Sequence, residues 1–416
     1  MRTKAITFPH LPPEHRELKI WNHEGQVSFT KENKPRDFLR GFRFLDPKLN
    51  IQPNFLSPTW HNRSQIPYKL VRPMRVSPIT LLSVCVLAVT SLFASAPAAP
   101  KPMQIYVIDV EGGQATLLVS PSGQSMLIDT GWPGYEGRDA DRIISTAHQA
   151  GLTQIDFVLI THFHRDHVGG VPQLADGIKI GTFIDHGPNM EDSQVTRVDY
   201  AAYEKAIAGH AHVVVKPGWQ VPIKGMEVRV LTAAGDHITS PLAATADANS
   251  YCKSEPAPPD DSTENARSVG VMVTYGQFHF LDLGDLTKKK ELELACPNNL
   301  LGTVDLFLVT HHGSDQSNSK ALVWALHPRV AVIDNGARKG ASPAAWQIVH
   351  DSPGIEDVWQ LHYAAESDKG HNVDPEHIAN VRENCEGKSF KIIANPDGSF
   401  ALTNTRTGAQ KTYSKK

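Results

Sequence analysis

The chain has 416 residues, 40% of them hydrophobic and 20% charged, with a formal net charge of −3. That length and composition exclude a wholly disordered or fibrous protein and allow one large or two ordinary domains with real cores. The charge is unevenly spread: residues 1–75 hold 14 Lys+Arg against 6 Asp+Glu, the remainder 27 against 38. An acidic body repels phosphate backbones at long range, so nucleic acid is not a partner that charge favours.

Residues 1–73 carry scattered prolines and no apolar period, and read as an unstructured extension. At Met74-Arg75 a short basic start leads into an apolar run over 79–93, followed by small residues from Ala94 to Ala99. This layout predicts a signal peptide over 74–98, with translation starting naturally at Met74 and the product periplasmic or secreted. The alternative is a membrane anchor through 79–96. Thr80, Ser83, Thr90, Ser91 and Ser95 dilute the run and favour cleavage. Outside the run lie Cys252, Cys296 and Cys385, which allow one disulfide with one thiol left over in an oxidising compartment. None has a CxxC neighbour, which argues against a thiolate zinc site.

From Met103 onward, short β-type runs alternate with turns and helices. Strands are expected at 104–110, 115–120, 125–129, 156–161 and 178–185, with a helix at 138–150 and a helix start at Gly169. The second half repeats the style, with strands at 228–232, 269–275, 278–283, 304–310 and 330–334. Helices are expected at 288–295, 319–327 and 344–350, and a closing hairpin spans 391–394 and 399–403. Residues 239–264 between the halves, rich in Ala, Pro, Asp and Ser, read as a surface loop or lid.

The chemistry concentrates in Thr161-His162-Phe163-His164-Arg165-Asp166-His167, directly after an apolar strand. His162 and His164 are two apart, so an extended segment points both imidazoles the same way, towards one metal ion. Asp166 and His167 fall where the chain turns towards a helix and would serve a second ion. A paired site also needs a carboxylate that can bridge, and Asp285, after Gly284 at a strand end, supplies one. Asp282 sits inside the strand pattern and reads as structural. Asp129, also at a strand end, is expected to orient a ligand rather than to ligate. Of His311 and His312, at another strand end, one is expected to bind metal and the other to line the pocket as an acid or hydrogen-bond donor. His186 is a further candidate ligand, with His237 and Asn265 as weaker ones. Asp166 and His312 are the expected catalytic groups, and Asn265, Arg267, Ser268 and Ser314 the candidates to hold a substrate anion.

These motifs, in this order, resemble the metallo-β-lactamase superfamily. Within it the body is most similar to the hydrolase domain of ComEC-type competence proteins, on Asp109-Val110-Glu111-Gly112-Gly113-Gln114-Ala115, Glu264-Asn265-Ala266-Arg267-Ser268-Val269 and His311-His312-Gly313-Ser314, over roughly 103–360. The resemblance implies an α/β fold, a four-layer αββα sandwich with a di-metal site at one edge of its two sheets. Gln114 departs from the ComEC-type pattern, which has an acidic residue there, and His164 stands where Asp is usual. No array of membrane spans accompanies them.

Nitrogen and oxygen ligands without thiolate suit Zn²⁺, with Mn²⁺ or Fe as alternatives. Two such ions would hold a hydroxide as nucleophile. The sequence therefore reads as an exported di-metal hydrolase of a small-molecule or phosphoester substrate, acting on phosphodiester bonds. The alternatives are a lactam, lactone or thioester hydrolase, or a non-catalytic binding protein. No obligatory protein partner is evident.

Overall fold

Strands whose residues are apolar on both faces need cover on both sides, and that demand organises this chain. A computed structural model describes residues 101–416, apart from 244, 245, 254, 255, 257 and 416. The expected extension and the signal peptide or anchor lie outside the described residues. Among the described residues no helix is long and apolar enough to cross a membrane.

In chain order, β1 (Met103–Val107), β2 (Thr116–Val119) and β3 (Ser125–Ile128) precede α1 (Arg138–Gln149), β4 (Gln154–Leu159), α2 (Arg165–Val168), α3 (Val171–Gly177) and β5 (Lys179–Asp185). Then come α4 (Gln194–Ile207), β6 (Ala211–Val214), β7 (Glu227–Ala233), β8 (Asp236–His237), β9 (Asp247–Ala248), β10 (Gly270–Tyr275) and β11 (Phe278–Asp282). The chain continues through α5 (Lys288–Ala295), β12 (Asn298–Asn299), β13 (Leu306–Leu308), α6 (Lys320–Leu326), β14 (Val330–Ile333) and α7 (Pro343–His350). It closes with β15 (Asp357–His362), β16 (Ile378–Asn380), β17 (Phe390–Ala394), β18 (Phe400–Asn404) and β19 (Gln410–Tyr413).

One sheet runs β19-β18-β17-β1-β2-β3-β4-β5-β6 and the other β16-β15-β14-β13-β11-β10-β7-β8. Each is antiparallel over part of its width and parallel over the rest: β3 to β6 in the first, and β11, β13, β14, β15 and β16 in the second. Parallel strands deliver their carboxyl ends to one edge, where α/β sheets place their ligand sites.

Strand alternation sorts the side chains into three buried layers. Ile105, Ile128, Val271, Phe280, Leu308 and Phe400 fill the space between the sheets. Tyr106, Leu127, Ile143, Leu174 and Tyr203 pack the first sheet against α1, α3 and α4. Met272, Leu281, Phe307, Leu322 and Trp346 pack the second against α5, α6 and α7. The result is the expected αββα sandwich.

Two expectations need correction. Helix does not begin at Gly169: α2 starts at Arg165, so Asp166 and His167 lie within a helical turn, and α3 follows from Val171. The expected strand over 304–310 is shortened to Leu306–Leu308, because Thr310 to Gly313 curl into a 3₁₀ turn.

The segment 239–264 is anchored. β9 pairs with β12, and Cys252 is disulfide-bonded to Cys296 just after α5, leaving Cys385 free. The bond closes a separation of 44 residues. Loop-closure entropy of that size is worth about 2–4 kcal/mol. The double variant C252S/C296S should therefore lower the unfolding free energy by that amount in a denaturant titration, with its two sheets retained by circular dichroism.

Candidate metal centre

β3 and β4 lie side by side and parallel, and the chain leaving each builds one wall of the site. Asp129 follows β3 in the left-handed region, φ +59°. Its carboxylate accepts from the backbone N–H of Thr161 at 2.8 Å and from the Thr161 hydroxyl at 2.6 Å, which fixes the start of the histidine segment. The same carboxylate meets His167 Nδ1 at 2.7 Å, turning Nε2 of that ring inwards. Asp129 thus positions a ligand-type imidazole.

The second sheet supplies the other wall. Gly284 follows β11 at φ +55°, and a side-chain carbon there would come within 2.8 Å of Thr161 Cβ. Only glycine lets the chain pass so closely and place Asp285 at the sheet edge. After β13, His311 and His312 both adopt positive φ, 56° and 53°, a strained turn of the kind that collects at functional sites. Hydrogen bonds from His311 N to Gly284 O at 2.9 Å and from Ala341 N to His312 O at 2.8 Å hold it in place.

These walls bring Asp166, His167, Asp285 and His312 together, all buried, with one ligand atom from each within 4.8 Å of the others. His167 Nε2 lies 3.3 Å from both Asp166 Oδ2 and Asp285 Oδ1, and His312 Nε2 lies 3.2 and 3.4 Å from the same two atoms. His162 is beside them, its ring 4.1 Å from that of His167 and its Nε2 3.9 Å from Asp285 Oδ2. His311 is at the rim, Nε2 3.2 Å from Asp285 Oδ2 and Nδ1 3.2 Å from Ser317 Oγ. His164 is next to His162, ring centroids 4.7 Å apart, with its Nε2 on Glu191 at 2.9 Å.

The other candidate residues are placed differently. His186 Nε2 bonds Glu264 at 3.0 Å, outside the four-residue cluster, and His237 pairs with Glu293 at 3.3 Å. Ser268 Oγ stands 3.5 Å from His162 Nδ1, and Ser314 is half-buried just beyond His312. Asn265 is buried with its Oδ1 unpartnered, and Arg267 packs over Gly235.

Charge is arranged to suit cations. Burial pushes the Asp166 carboxyl up, but the Lys339 ammonium and the His167 imidazole outweigh it and hold the group well below the usual carboxylate range. Burial likewise raises Asp285, and His167, His311 and His312 more than reverse it. Burial and Lys339 push His312 down, yet Asp285, Asp334 and Asp166 leave it at about 9. Within this acid-rich pocket His162 Nε2 is buried without any hydrogen bond. Orphaned buried acceptors cost free energy unless something satisfies them, and a divalent cation on this nitrogen and oxygen set would do so. The residues therefore fit metal ions.

Three contributors, Lys339, Asp334 and Glu191, were not singled out in the sequence, and a fourth, Glu264, was named there only within the family-like motif and given no role. Lys339, between β14 and α7, pairs with Asp166 Oδ2. Asp334, just after β14, faces His312 Nδ1 at 3.3 Å, and as an aspartate at a strand end it carried the same signal as Asp129 and Asp285. Glu264 is buried and accepts from Phe163 N and Met190 N at 3.1 and 2.6 Å besides His186. Glu191 holds His164 and accepts from Glu264 N at 3.0 Å.

Asp282 supports the loop to Asp285. Gln114 Nε2 donates to both its oxygens at 3.1 and 2.9 Å, and Gly284 N donates at 3.0 Å. Burial and the nearby Asp129 and Asp334 push its carboxyl up to about 7. The folded state therefore favours the proton, and stability is lost as pH rises from about 4 through about 7. The variant D282N should flatten that loss: its unfolding free energy relative to wild type should rise between pH 5 and pH 8, by at most about 1.4 kcal/mol per unit.

Residues 108–245 match the family model described as the metallo-beta-lactamase superfamily. The chain is 23% identical over 255 residues to ComE operon protein 3 of Bacillus subtilis, covering 58% of this chain and 29% of that protein. It is 38% identical over 109 residues to the atrochrysone carboxyl ACP thioesterase AgnL7 of Paecilomyces divaricatus, covering 24% of this chain and 33% of that one. It thus spans about a third or less of the length of these curated relatives. Among solved structures, the metallo-beta-lactamase fold protein YhfI from Bacillus subtilis aligns with a TM-score of 0.39 and 11% identity, over 62% of this chain and 96% of that one.

Proposed function

The chain carries a metallo-beta-lactamase superfamily domain, and from that premise we propose that it is an exported metal-dependent hydrolase acting on phosphodiester bonds. The observation that carries the reading is the closed, buried group of Asp166, His167, Asp285 and His312, with an unpartnered ligand atom on His162 beside it. His162, His164 and Asp285 would hold one divalent ion, and Asp166, His167, His312 and Asp285 a second. Zn²⁺ suits this donor set, with Mn²⁺ or Fe as alternatives. When bound, such ions lower the pKa of water towards neutrality and polarise the ester oxygen under attack.

The chain's own groups do the rest. Asp129 and Asp334 face the Nδ1 atoms of His167 and His312 and orient both rings. His311, 12% exposed and tied to Ser317, is placed to donate to a leaving oxygen. Lys339 sets a positive wall beside Asp166, which suits an anionic ester better than a neutral lactone. The Cys252–Cys296 disulfide supports export, since such bonds persist in oxidising compartments. A thioester substrate is the second reading, favoured by the local likeness to a thioesterase; that match covers 24% of the chain, against 58% for the ComE operon relative.

The test is turnover by the full chain of bis(p-nitrophenyl) phosphate, an acyl thioester and a chromogenic lactam, with Zn²⁺ or Mn²⁺ and after chelation. We expect metal-dependent cleavage of the phosphodiester, at least tenfold above the other two. Faster thioester or lactam cleavage would transfer the assignment to that substrate, and a protein that binds no metal would overturn the hydrolase reading.

A further inference from the structure

The segment 335–342 folds back over the metal centre: Gly336 N donates to Lys339 O at 2.9 Å, closing a tight bridge, and Ala341 N reaches His312 O. Its one delivery into the centre is Lys339. The Nζ donates to the carbonyl of Gly112 at 2.7 Å, pairs with Asp166 Oδ2, and lies 5.2 Å from the centre of the Trp132 ring. Yet the side chain remains 36% exposed, so the residue that touches the buried cluster also reaches the surface.

On that outer side is a cavity of about 290 Å³, lined among others by Ser314, Lys339, Gly340, Ser342 and Ser367. Ser342 and Ser367 donate their hydroxyls to Gly313 O and Ala341 O at 3.1 and 2.7 Å, which braces the walls. Ser314 differs. Its Oγ accepts weakly from Gln316 N at 3.3 Å, and among the described residues its own O–H has no acceptor. Two cationic side chains, Lys339 and Arg338, and the free Ser314 hydroxyl thus line this space next to the cluster, with Glu366 as the one carboxylate in its lining.

A lysine in this place works against metal affinity, because a positive charge beside a cation site repels what the carboxylates attract. Its three donors also exceed the two acceptors it meets, Gly112 O and Asp166. Both features are accounted for by an anion that arrives with the substrate. We propose that this cavity is a subsite for a second phosphate, one flanking the bond that is cleaved, with Lys339 as its ion-pair partner and Ser314 as a hydrogen-bond donor. This deepens the phosphodiesterase reading and rests on it: the substrate class becomes phosphodiesters that carry a further phosphate. The volume accommodates a phosphate together with part of the group that bears it.

The test is isothermal titration of the zinc-loaded full chain with inorganic phosphate, comparing wild type, K339Q, K339R and S367W, with metal content measured on each sample. S367W plugs the cavity from its rim without altering a residue of the metal centre. We expect phosphate binding at least tenfold weaker in K339Q and S367W at unchanged metal content, and within about threefold of wild type in K339R. No phosphate binding by wild type, or equal binding by S367W and wild type, overturns the subsite; should K339Q lose metal, S367W alone decides. Bis(p-nitrophenyl) phosphate has a single phosphate and needs no subsite, so its turnover by wild type reports separately on the hydrolase reading.

Discussion

Replacing Asp285 by alanine should lower phosphodiester turnover by about 10³-fold or more, the scale on which loss of one preorganised group at a reacting centre is felt. Asp285 is the only group of the cluster whose two oxygens face different partners: Oδ1 meets His167 and His312, and Oδ2 meets His311 and lies nearest His162. Its removal strips the negative charge shared by four imidazoles, so metal content should fall together with activity. Circular dichroism should be unchanged, because Gly284 and its contact with Thr161 set the course of the backbone there. Retention of more than a tenth of wild-type turnover by D285A would show that the bridging carboxylate has been misassigned.

The second large effect is structural and falls on Glu264. Its buried carboxylate accepts from His186 Nε2 and from the backbone N–H groups of Phe163 and Met190, tying the histidine segment to the loop after β5. Truncation to alanine would leave three donors without a partner. Each unsatisfied buried donor costs about 1–3 kcal/mol, so E264A should lose roughly 3–9 kcal/mol in a denaturant titration, whereas E264Q, which keeps one acceptor oxygen, should lose less than half as much. Burial raises this carboxyl, but His186 and the two backbone donors bring it below its ordinary value of 4.5. Its contribution is therefore present above about pH 4.5 and is lost as pH falls through the lower folded value. Accordingly, the gap between wild type and E264A should be full at pH 7 and should narrow in acid. Phe163 separates His162 from His164, so metal affinity should weaken with it.

Much of this site could be read from the sequence because its signals are local. His162, His164, Asp166 and His167 fall within six positions after an apolar strand, and Asp129, Asp285, His311 and His312 each follow a strand. Side chains at strand ends can meet at one sheet edge, but the αββα sandwich and its di-metal edge were implied by the family resemblance that these motifs carry rather than by their spacing. What the sequence hid is set by long-range packing. Glu264 lies 101 residues from the Phe163 amide it serves, and Lys339 lies 173 from Asp166. No spacing rule links such pairs. His186, at a strand end like the ligand-type residues, stands outside the four-residue cluster with its Nε2 on Glu264, a placement that its sequence neighbourhood does not give. Element ends shifted for the same reason, since the turn at Thr310 to Gly313 is imposed by contacts with Gly284 and Ala341 rather than by local propensity.

In the proposed function one buried cluster holds two divalent ions and catalysis depends on both. This is tested most directly by stripping the full chain of metal, adding Zn²⁺ in fractions of an equivalent and following bis(p-nitrophenyl) phosphate turnover alongside bound metal. Activity should reach a plateau at two equivalents in wild type and stay near background in D285A. Turnover that is independent of added metal, or two ions bound by D285A with wild-type activity, would contradict the proposed function.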